Sequence, residues 1–437
     1  MKKFLALVLV FGMLWTLLPL QARAEEQQAR DLTSLVQVTN EAGCFDYRKL
    51  LDGNSRTYGH FPNGSRLRVE YSGGMGSLYL IFQEAYGTYT ITNNHTGETV
   101  EAGQHGFLHE YVDLAALFGA DPASVTLTFD SGSVKIREIS VYSPGQPPED
   151  VQIWKPPAEG NADLLLFSAH GDDEQLFFAG ILPYYAGERN YKVQVVYLTD
   201  HHNSDKNRVH EMLDGLYAVG VTHYPVFGTF NDQRAGSGEI AYQLFSFLGI
   251  SREDVIGFMV EQLRRFKPLV AVTHDINGEY GHGQHELCAD MMMQASSISM
   301  DAAQYPETAQ RYGTWDVPKT YLHLYWENPI WMDWDQPLAS FNGMTAYEVT
   351  RDLGFPCHKT QYGDFKWYFA GSDKAADIQL YSPCEYGLYR STVGPDVQKN
   401  DFFENLRSYD QQAADALRQQ VIAEAIRKIQ SIKITLP

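Results

Sequence analysis

The stretch that most constrains the fold is a short apolar run followed at once by charged groups. Residues 164–167 read Leu-Leu-Leu-Phe, and residues 169–174 read Ala-His-Gly-Asp-Asp-Glu. A continuous apolar run bounded by a polar turn predicts a strand buried on both faces, as in parallel sheets covered by helices. Sites in such sheets lie at the carboxyl ends of the strands, so we expect His170, Asp172 and Asp173 at one functional edge.

From about residue 155 onward the chain alternates between strand-like and helix-like segments. Further apolar runs at 192–198 and 269–272 predict strands, and helical spacing predicts helices over 174–186, 207–219, 252–266 and 284–295. This alternation predicts an α/β domain with a Rossmann-like, mostly parallel sheet. The segment 415–433 carries apolar residues at helical spacing, and we expect it to dock onto this domain.

The part before residue 145 is different, because it is rich in β-formers separated by Gly, Asn and Ser turns. Regular short strands of this kind over residues 30–145 predict a small all-β, jelly-roll-like sandwich. Residues 51–54 (Leu-Asp-Gly-Asn) with Thr57 resemble the opening of discoidin-like, galactose-binding modules. That resemblance implies either sugar binding or a spacer role. The Pro- and Gly-rich stretch 143–148 predicts a linker to a second domain over 155–437.

The first 24 residues have the pattern of a secretory signal peptide. Lys2 and Lys3 precede an apolar stretch over 4–20, and Ala22-Arg23-Ala24 fits a cleavage site. We expect cleavage, with no stable membrane insertion afterwards and a secreted or cell-wall-associated product; a retained anchor is the alternative.

Charge and cysteine content exclude some classes of function. The formal net charge of −20 disfavours nucleic acid as a partner, because phosphate binding requires a basic patch. The four cysteines are too few for a disulfide scaffold. A bridge between Cys357 and Cys384 is left open, whereas Cys288 is expected to be a small buried thiol.

A second polar stretch, residues 280–285 (Tyr-Gly-His-Gly-Gln-His), follows the third predicted strand and so falls at the same end of the sheet as His170. A hydrolytic zinc site needs three nitrogen or oxygen ligands and one open position. His170 and Asp173, three residues apart, can supply two ligands, and His285 the third. Asp172 is then free to act as a base. The alternative is an acidic turn that caps a helix, with scattered histidines.

Both stretches resemble the motifs of the LmbE/PIG-L family of zinc-dependent N-acetylglucosaminyl de-N-acetylases, and the resemblance covers about residues 160–405. It implies His170, Asp173 and His285 as zinc ligands and Asp172 as general base. It also implies His282 as acid or electrostatic stabiliser and Tyr280 as oxyanion donor. Arg208 matches an arginine that approaches the substrate in relatives. A looser match to a later motif of the family begins at His358. Gly171, Gly283 and Gln284 depart from the family pattern.

Tryptophan is concentrated late in the chain, where Trp315, Trp326, Trp331, Trp334 and Trp367 are five of the seven. Aromatic faces stack on the apolar faces of sugar rings, so we expect Trp331 and Trp334 to contact substrate. Core packing is the alternative for each of them.

These observations predict an exported, zinc-dependent hydrolase that removes acetyl from an N-acetylglucosamine-type amino sugar in a glycan or glycoconjugate. Two alternatives stay open: an amidase of another N-acyl conjugate on the same site, and a glycan-binding protein without catalysis. Fe²⁺ is an alternative metal, since a His/Asp/His set accepts it.

Overall fold

The computed structural model describes residues 27–201 and 205–431 of the chain, which fall into two compact units. The N-terminal unit ends at Gln152 and the C-terminal unit begins at Ile153, apart from Gln83–Ala85, which group with the latter. The predicted signal peptide over residues 1–24 lies outside the described residues. Within them, no helix is long and apolar enough to cross a membrane.

The N-terminal unit consists of two antiparallel sheets around one apolar core. One sheet has the order β1-β3-β8-β5-β6 and the other β2-β9-β4-β7. Alternate side chains of both sheets, such as Leu67, Ile91 and Leu80, enter the same buried cluster. The likeness to a galactose-binding module stays a prediction. The strands are β1 Gln37–Ala42, β2 Gly59–Phe61, β3 Ser65–Glu70, β4 Ser77–Phe82, β5 Tyr89–Asn93, β6 Thr99–Ala102, β7 His109–Asp113, β8 Ser124–Phe129 and β9 Val134–Tyr142, with a short helix α1 Leu114–Phe118.

The C-terminal unit is built on a seven-stranded sheet in the order β12-β11-β10-β13-β14-β16-β15. The first five strands of this order are parallel, and β16 and β15 add an antiparallel edge. The apolar run at its centre forms β10, every residue of which is buried. The strands are β10 Leu164–Ser168, β11 Val193–Thr199, β12 Val226–Phe230, β13 Val270–Thr273, β14 Lys319–His323, β15 Pro329–Trp331 and β16 Glu385–Ser391.

The strand order creates a crevice beside β10. The chain proceeds from β10 outward through β11 and β12, then returns to place β13 on the other side of β10. Ligands in open α/β sheets bind at such a switch point, outside the carboxyl ends of the strands. The two polar stretches follow β10 and β13, so both reach this crevice.

Helices cover the sheet largely where the spacing predicts them. For example, α4 begins after Ser251, whose side chain forms a reciprocal capping box with Asp254, and ends before Lys267 in left-handed conformation. The α-helices of this unit are α2 Lys206–Ala218, α3 Gly238–Phe247, α4 Arg252–Phe266, α5 Gly283–Ile298, α6 Pro306–Tyr312, α7 Ala346–Val349, α8 Tyr362–Phe365 and α9 Tyr409–Ser431.

Two predictions about helices need correction. Residues 174–186 do not form a regular helix; they form successive turns followed by a π-helix, Pro183–Glu188. Gly180 interrupts the helix with a φ of 96°, where a Cβ atom would lie 2.4 Å from the Trp334 ring. The C-terminal helix α9 also does not dock, because Leu417, Val421 and other apolar side chains along it are exposed.

The four cysteines are free thiols. Cys357 and Cys384 therefore do not form the bridge that the sequence left open. Cys288 is fully buried, as expected.

Candidate metal-dependent active site

The turn after β10 carries the first group of site residues, and all of them are buried. The backbone N–H of His170 donates to Asp173 Oδ2 over 2.9 Å, which folds the turn back on itself. Gly171 has no room for a side chain, because a Cβ atom would lie 2.3 Å from Met212 on α2 unless that side chain moved. The departure at Gly171 thus fits close packing of α2 against the turn.

Three potential ligand atoms converge in the crevice. His170 Nδ1 lies 3.1 Å from Asp173 Oδ2, and His285 Nε2 lies 3.2 Å from each of these atoms. Ligands bonded at about 2.0–2.1 Å to a tetrahedral zinc ion are about 3.3–3.4 Å apart. The triangle therefore fits one zinc ion, and its donors are the three that the sequence predicts.

The hydrogen bonds behind the two imidazoles point the correct nitrogens inward. His285 Nδ1 lies 2.8 Å from Glu279 Oε2, and His170 Nε2 lies 3.0 Å from Gln284 Oε1. A ring nitrogen that donates to an outer acceptor leaves the other nitrogen unprotonated for a metal. In that tautomer, each ring presents its unprotonated nitrogen to the centre of the triangle.

His274 also lies beside the triangle and forms a second possible metal-binding group with Asp173 and His285, but its ring nitrogens have other partners. Its Nε2 atom accepts the N–H of Ala169 over 2.9 Å, and its Nδ1 atom lies 2.8 Å from Glu279 Oε2. Both ring nitrogens are therefore used. The other oxygen of Glu279 contacts His323 Nδ1 at 2.6 Å, so one buried carboxylate connects three imidazoles.

Asp172 lines the cavity in front of the triangle. Its Oδ1 atom lies 3.6 Å from Arg208, whereas its buried Oδ2 atom has no hydrogen-bond partner among the described residues. Its φ of 155° is rare for a residue with a side chain, and strained backbone of this kind occurs at functional sites. A buried carboxylate oxygen without a partner is suited to accept a proton.

The electrostatics separate the two neighbouring carboxyl groups. Burial raises the pKa of Asp172 to about 7, and the adjacent Asp173 adds to the shift against the opposing charge of Arg208. Burial also acts on Asp173, but the charges and hydrogen bonds of His285 and His170 hold its pKa well below the usual range. Asp173 is therefore suited to bind a cation and Asp172 to exchange a proton.

The cavity in front of the triangle has a volume of about 670 Å³ and opens to the surface. His282 and Tyr280 line one wall, and Arg208 lines another. Burial, and then the neighbouring imidazoles, lower the pKa of His282 to about 3, which favours a neutral ring. Burial raises the pKa of Tyr280 far above its usual value, so its hydroxyl stays a hydrogen-bond donor.

The predicted tryptophan contacts do not reach this cavity. Trp334 is only 1% exposed, and its indole N–H donates to the Pro383 carbonyl over 2.8 Å. It is a core residue, so its assignment to substrate binding is wrong. Trp331 is 46% exposed, but it lies on the edge strand β15 and does not line the cavity.

Sequence reasoning missed several residues of the site. Glu279 precedes the Tyr-Gly-His stretch directly, and a carboxylate next to several imidazoles was a usable signal. Asp232 and Arg234 follow β12 and line the cavity, yet nothing in their local sequence distinguishes them. His358, the looser match, is fully buried with Nε2 3.1 Å from Glu174 Oε1, so it supports the turn that carries Asp172 and Asp173.

Fold and geometry thus define an α/β domain with a pocket at the switch point of its sheet, where a buried His/Asp cluster could hold a metal ion. Residues 165–296 match the family model described as PIG-L, GlcNAc-PI de-N-acetylase. These residues form a PIG-L (LmbE-like) domain, the family that the motifs resemble.

Curated relatives are similar to about half of the chain. A 1D-myo-inositol 2-acetamido-2-deoxy-alpha-D-glucopyranoside deacetylase 1 from Catenulispora acidiphila is 27% identical over 46% of this chain and 68% of its own length. A 1D-myo-inositol 2-acetamido-2-deoxy-alpha-D-glucopyranoside deacetylase from Streptomyces griseus is 26% identical over 56% of this chain and 88% of its own length. Among solved structures, N,N'-diacetylchitobiose deacetylase from Pyrococcus horikoshii has 15% identity and a TM-score of 0.35, over 52% of this chain and 82% of that one.

Proposed function

We propose that this protein is a zinc-dependent hydrolase that removes the acetyl group from an N-acetylglucosamine-type amino sugar in a glycan or glycoconjugate. The observation that carries the proposal is the triangle of His170, Asp173 and His285 with the free carboxylate of Asp172 beside it. The names of the relatives support the substrate class, since both are deacetylases of a 2-acetamido sugar.

The side chains around the triangle have different roles in amide hydrolysis. His170, Asp173 and His285 would hold a zinc ion, which when bound would supply Lewis-acid chemistry that lowers the pKa of the attacking water and polarises the acetyl carbonyl. Asp172 takes the proton of the attacking water and delivers it to the departing amine. Tyr280 and neutral His282 donate hydrogen bonds to the oxygen that becomes negative. Arg208 holds Asp172 in place and adds positive charge to the wall of the cavity.

The decisive experiment measures acetate release from N-acetylglucosamine and its oligomers by chelated and zinc-restored protein. We expect release only with zinc, and a decrease of about 10²–10⁴-fold in kcat for Asp172→Asn, the range of general acid–base catalysis. The variant must still bind one equivalent of zinc, which separates loss of the base from loss of the metal. Restoration with Fe²⁺ in place of Zn²⁺ tests the alternative metal.

Two results would redirect the proposal. Release of a different acid from other N-acylated amino sugars, but none of acetate, would favour an amidase of another conjugate. Saccharide binding without turnover, unaffected by Asp172→Asn, would favour a glycan-binding protein.

We also propose that the protein is exported and then secreted or wall-associated. The basic start, apolar core and Ala22-Arg23-Ala24 site support this. N-terminal sequencing of the mature protein from the producing cells should begin at Glu25, and an intact Met1 end would contradict cleavage.

A further inference from the structure

We propose that a groove beside the metal cavity binds a second sugar residue of the same glycan, so that the enzyme prefers an oligosaccharide over a free monosaccharide. This inference rests on the proposed function. The groove has a volume of about 590 Å³ and is lined by residues 351–370 of the segment between β15 and β16.

The groove and the metal cavity share one short stretch of chain. Asp364 and Phe365 at the end of α8 line the metal cavity. Tyr362 at its start, with Lys366 and Trp367 just after it, lines the groove. A single helical turn therefore separates the two spaces, and a glycan with one residue in the metal cavity has its next residue close to the groove.

The groove presents aromatic side chains in the manner of a sugar-binding platform. Trp367 is 45% exposed and Tyr362 is 43% exposed, unlike the core residue Trp334. Buried Phe355 packs against Tyr362 and against Phe369, with ring centroids 5.3 Å apart in each pair, and Trp367 packs edge-on against Tyr368 at 6.0 Å. Exposed rings on a packed base offer flat apolar area with little loss of side-chain entropy, which suits the C–H face of a sugar.

Polar groups at the rim complete the match to a saccharide. The Arg351 guanidinium is fixed by two hydrogen bonds to Asp352, at 2.7 and 2.8 Å, and Lys366 also lines the groove. These side chains donate and accept hydrogen bonds, as sugar hydroxyls require. Because charges of both signs are present, the rim favours a neutral polyhydroxylated ligand over a strongly anionic one.

The test compares kcat/KM for acetate release from the N-acetylglucosamine tetramer with that from the monomer. We expect Trp367→Ala to lower the tetramer-to-monomer ratio by roughly tenfold, the effect of losing one aromatic stacking contact. Tyr362→Ala should lower it in the same direction, and Trp367→Phe should restore most of it. Trp326→Ala is the matched control, because Trp326 is 63% exposed and lines neither space.

A binding measurement keeps this inference separate from the proposed function. Calorimetry with the tetramer in the Asp172→Asn background should show weaker binding when Trp367→Ala is added, whether or not the protein releases acetate. A lack of acetate release from every substrate would refute the deacetylase proposal but would leave the proposed binding role of the groove standing. Equal tetramer-to-monomer ratios of kcat/KM for Trp367→Ala and Trp326→Ala, together with equal tetramer affinities, would refute sugar binding in the groove.

Discussion

At the scale of single residues, Gln284 shows how a neutral side chain can prepare a metal ligand. Its Oε1 atom lies 3.0 Å from His170 Nε2 and also accepts the N–H of Gln233 over 3.0 Å. Its Nε2 atom donates to the Asn231 carbonyl over 2.9 Å. The amide is therefore oriented by the loop after β12, and its oxygen must face His170.

The first prediction concerns this hydrogen bond. Gln284→Leu removes the acceptor behind His170, so the ring loses its fixed tautomer and orientation. Loss of such an outer partner lowers metal affinity by about 10–100-fold. Competition for zinc against a chromophoric chelator measures the affinity directly. Gln243→Leu on the exposed face of α3 is the matched control, and equal zinc affinities for the two variants would refute this role of Gln284.

Residue identity predicted the ligand triangle but not what holds it. His170, Asp173 and His285 are recognisable because their side chains have few roles other than ligation when they follow strands. Gln284 was recognisable only as a departure from the family pattern, since its hydrogen bonds to His170 and to the loop after β12 depend on the folded geometry. Glu279 was missed for a similar reason, because contacts to three imidazoles come from three separate elements.

At the scale of elements, the β14 strand is held to the following chain by a buried ion pair. Lys319 Nζ bonds Asp396 Oδ1, and Tyr321 donates its hydroxyl to Asp396 Oδ2 over 2.6 Å. Lys319 is fully buried. Asp396→Asn would leave the ammonium group of Lys319 buried without a counter-charge. Breaking a buried ion pair in this way destabilises a protein by about 3–5 kcal/mol.

Urea denaturation of Asp396→Asn should therefore show a markedly lower free energy of unfolding for the C-terminal unit. Lys319→Met with Asp396→Asn removes both charges and should recover much of the loss, because a paired deletion leaves no buried charge. A double variant no more stable than Asp396→Asn would contradict this explanation.

A pH-dependent effect is expected in the N-terminal unit, at Glu110 on β7. Burial raises the pKa of Glu110 in the folded state, although Tyr89 and the Gly103 N–H donate to its carboxylate over 3.0 and 2.8 Å. A carboxyl whose pKa is raised on folding stabilises the fold at low pH, and this contribution disappears as pH rises through the folded pKa.

Glu110→Gln cannot ionise, so its stability relative to the unaltered protein should improve between pH 4 and pH 7. Chemical denaturation across that range gives the slope of the difference, which is independent of any constant cost of the substitution. A difference that does not vary with pH would show that Glu110 has the same pKa in both states.

Elements were predictable where one local signal dominated. Predominantly apolar runs predicted β10, β11 and β13, and regular spacing predicted α2, α4 and α5 to within a few residues. Residues 174–186 have helical spacing but do not form a regular helix: Gly180 adopts a φ of 96°, and Trp334 from a distant segment occupies the space where a Cβ atom would lie. Strand β16 depends on pairing with β14, and the edge strand β15 depends on pairing with β16; local sequence encodes neither pairing.

At the scale of the whole molecule, the two units can be followed separately by tryptophan fluorescence. In the part of the chain that the structure describes, every tryptophan lies in the C-terminal unit, from Trp154 to Trp367. The ligand triangle lies in the same unit. Tryptophan emission therefore reports unfolding of the metal-binding unit, whereas far-ultraviolet circular dichroism reports both.

Chelation should consequently destabilise one unit and not the other. A metal that binds only the folded state adds RT ln(1 + [L]/Kd), about 4 kcal/mol at a free concentration of 1,000 Kd. We expect zinc to raise the unfolding midpoint seen by tryptophan emission, and to leave unchanged any part of the dichroism transition that belongs to the N-terminal sheets. His285→Ala should abolish the shift, because it removes one corner of the triangle, while Asp172→Asn should keep it, because that carboxylate faces the cavity. A shift that survives His285→Ala, or that disappears in Asp172→Asn, would place the metal on a different set of ligands.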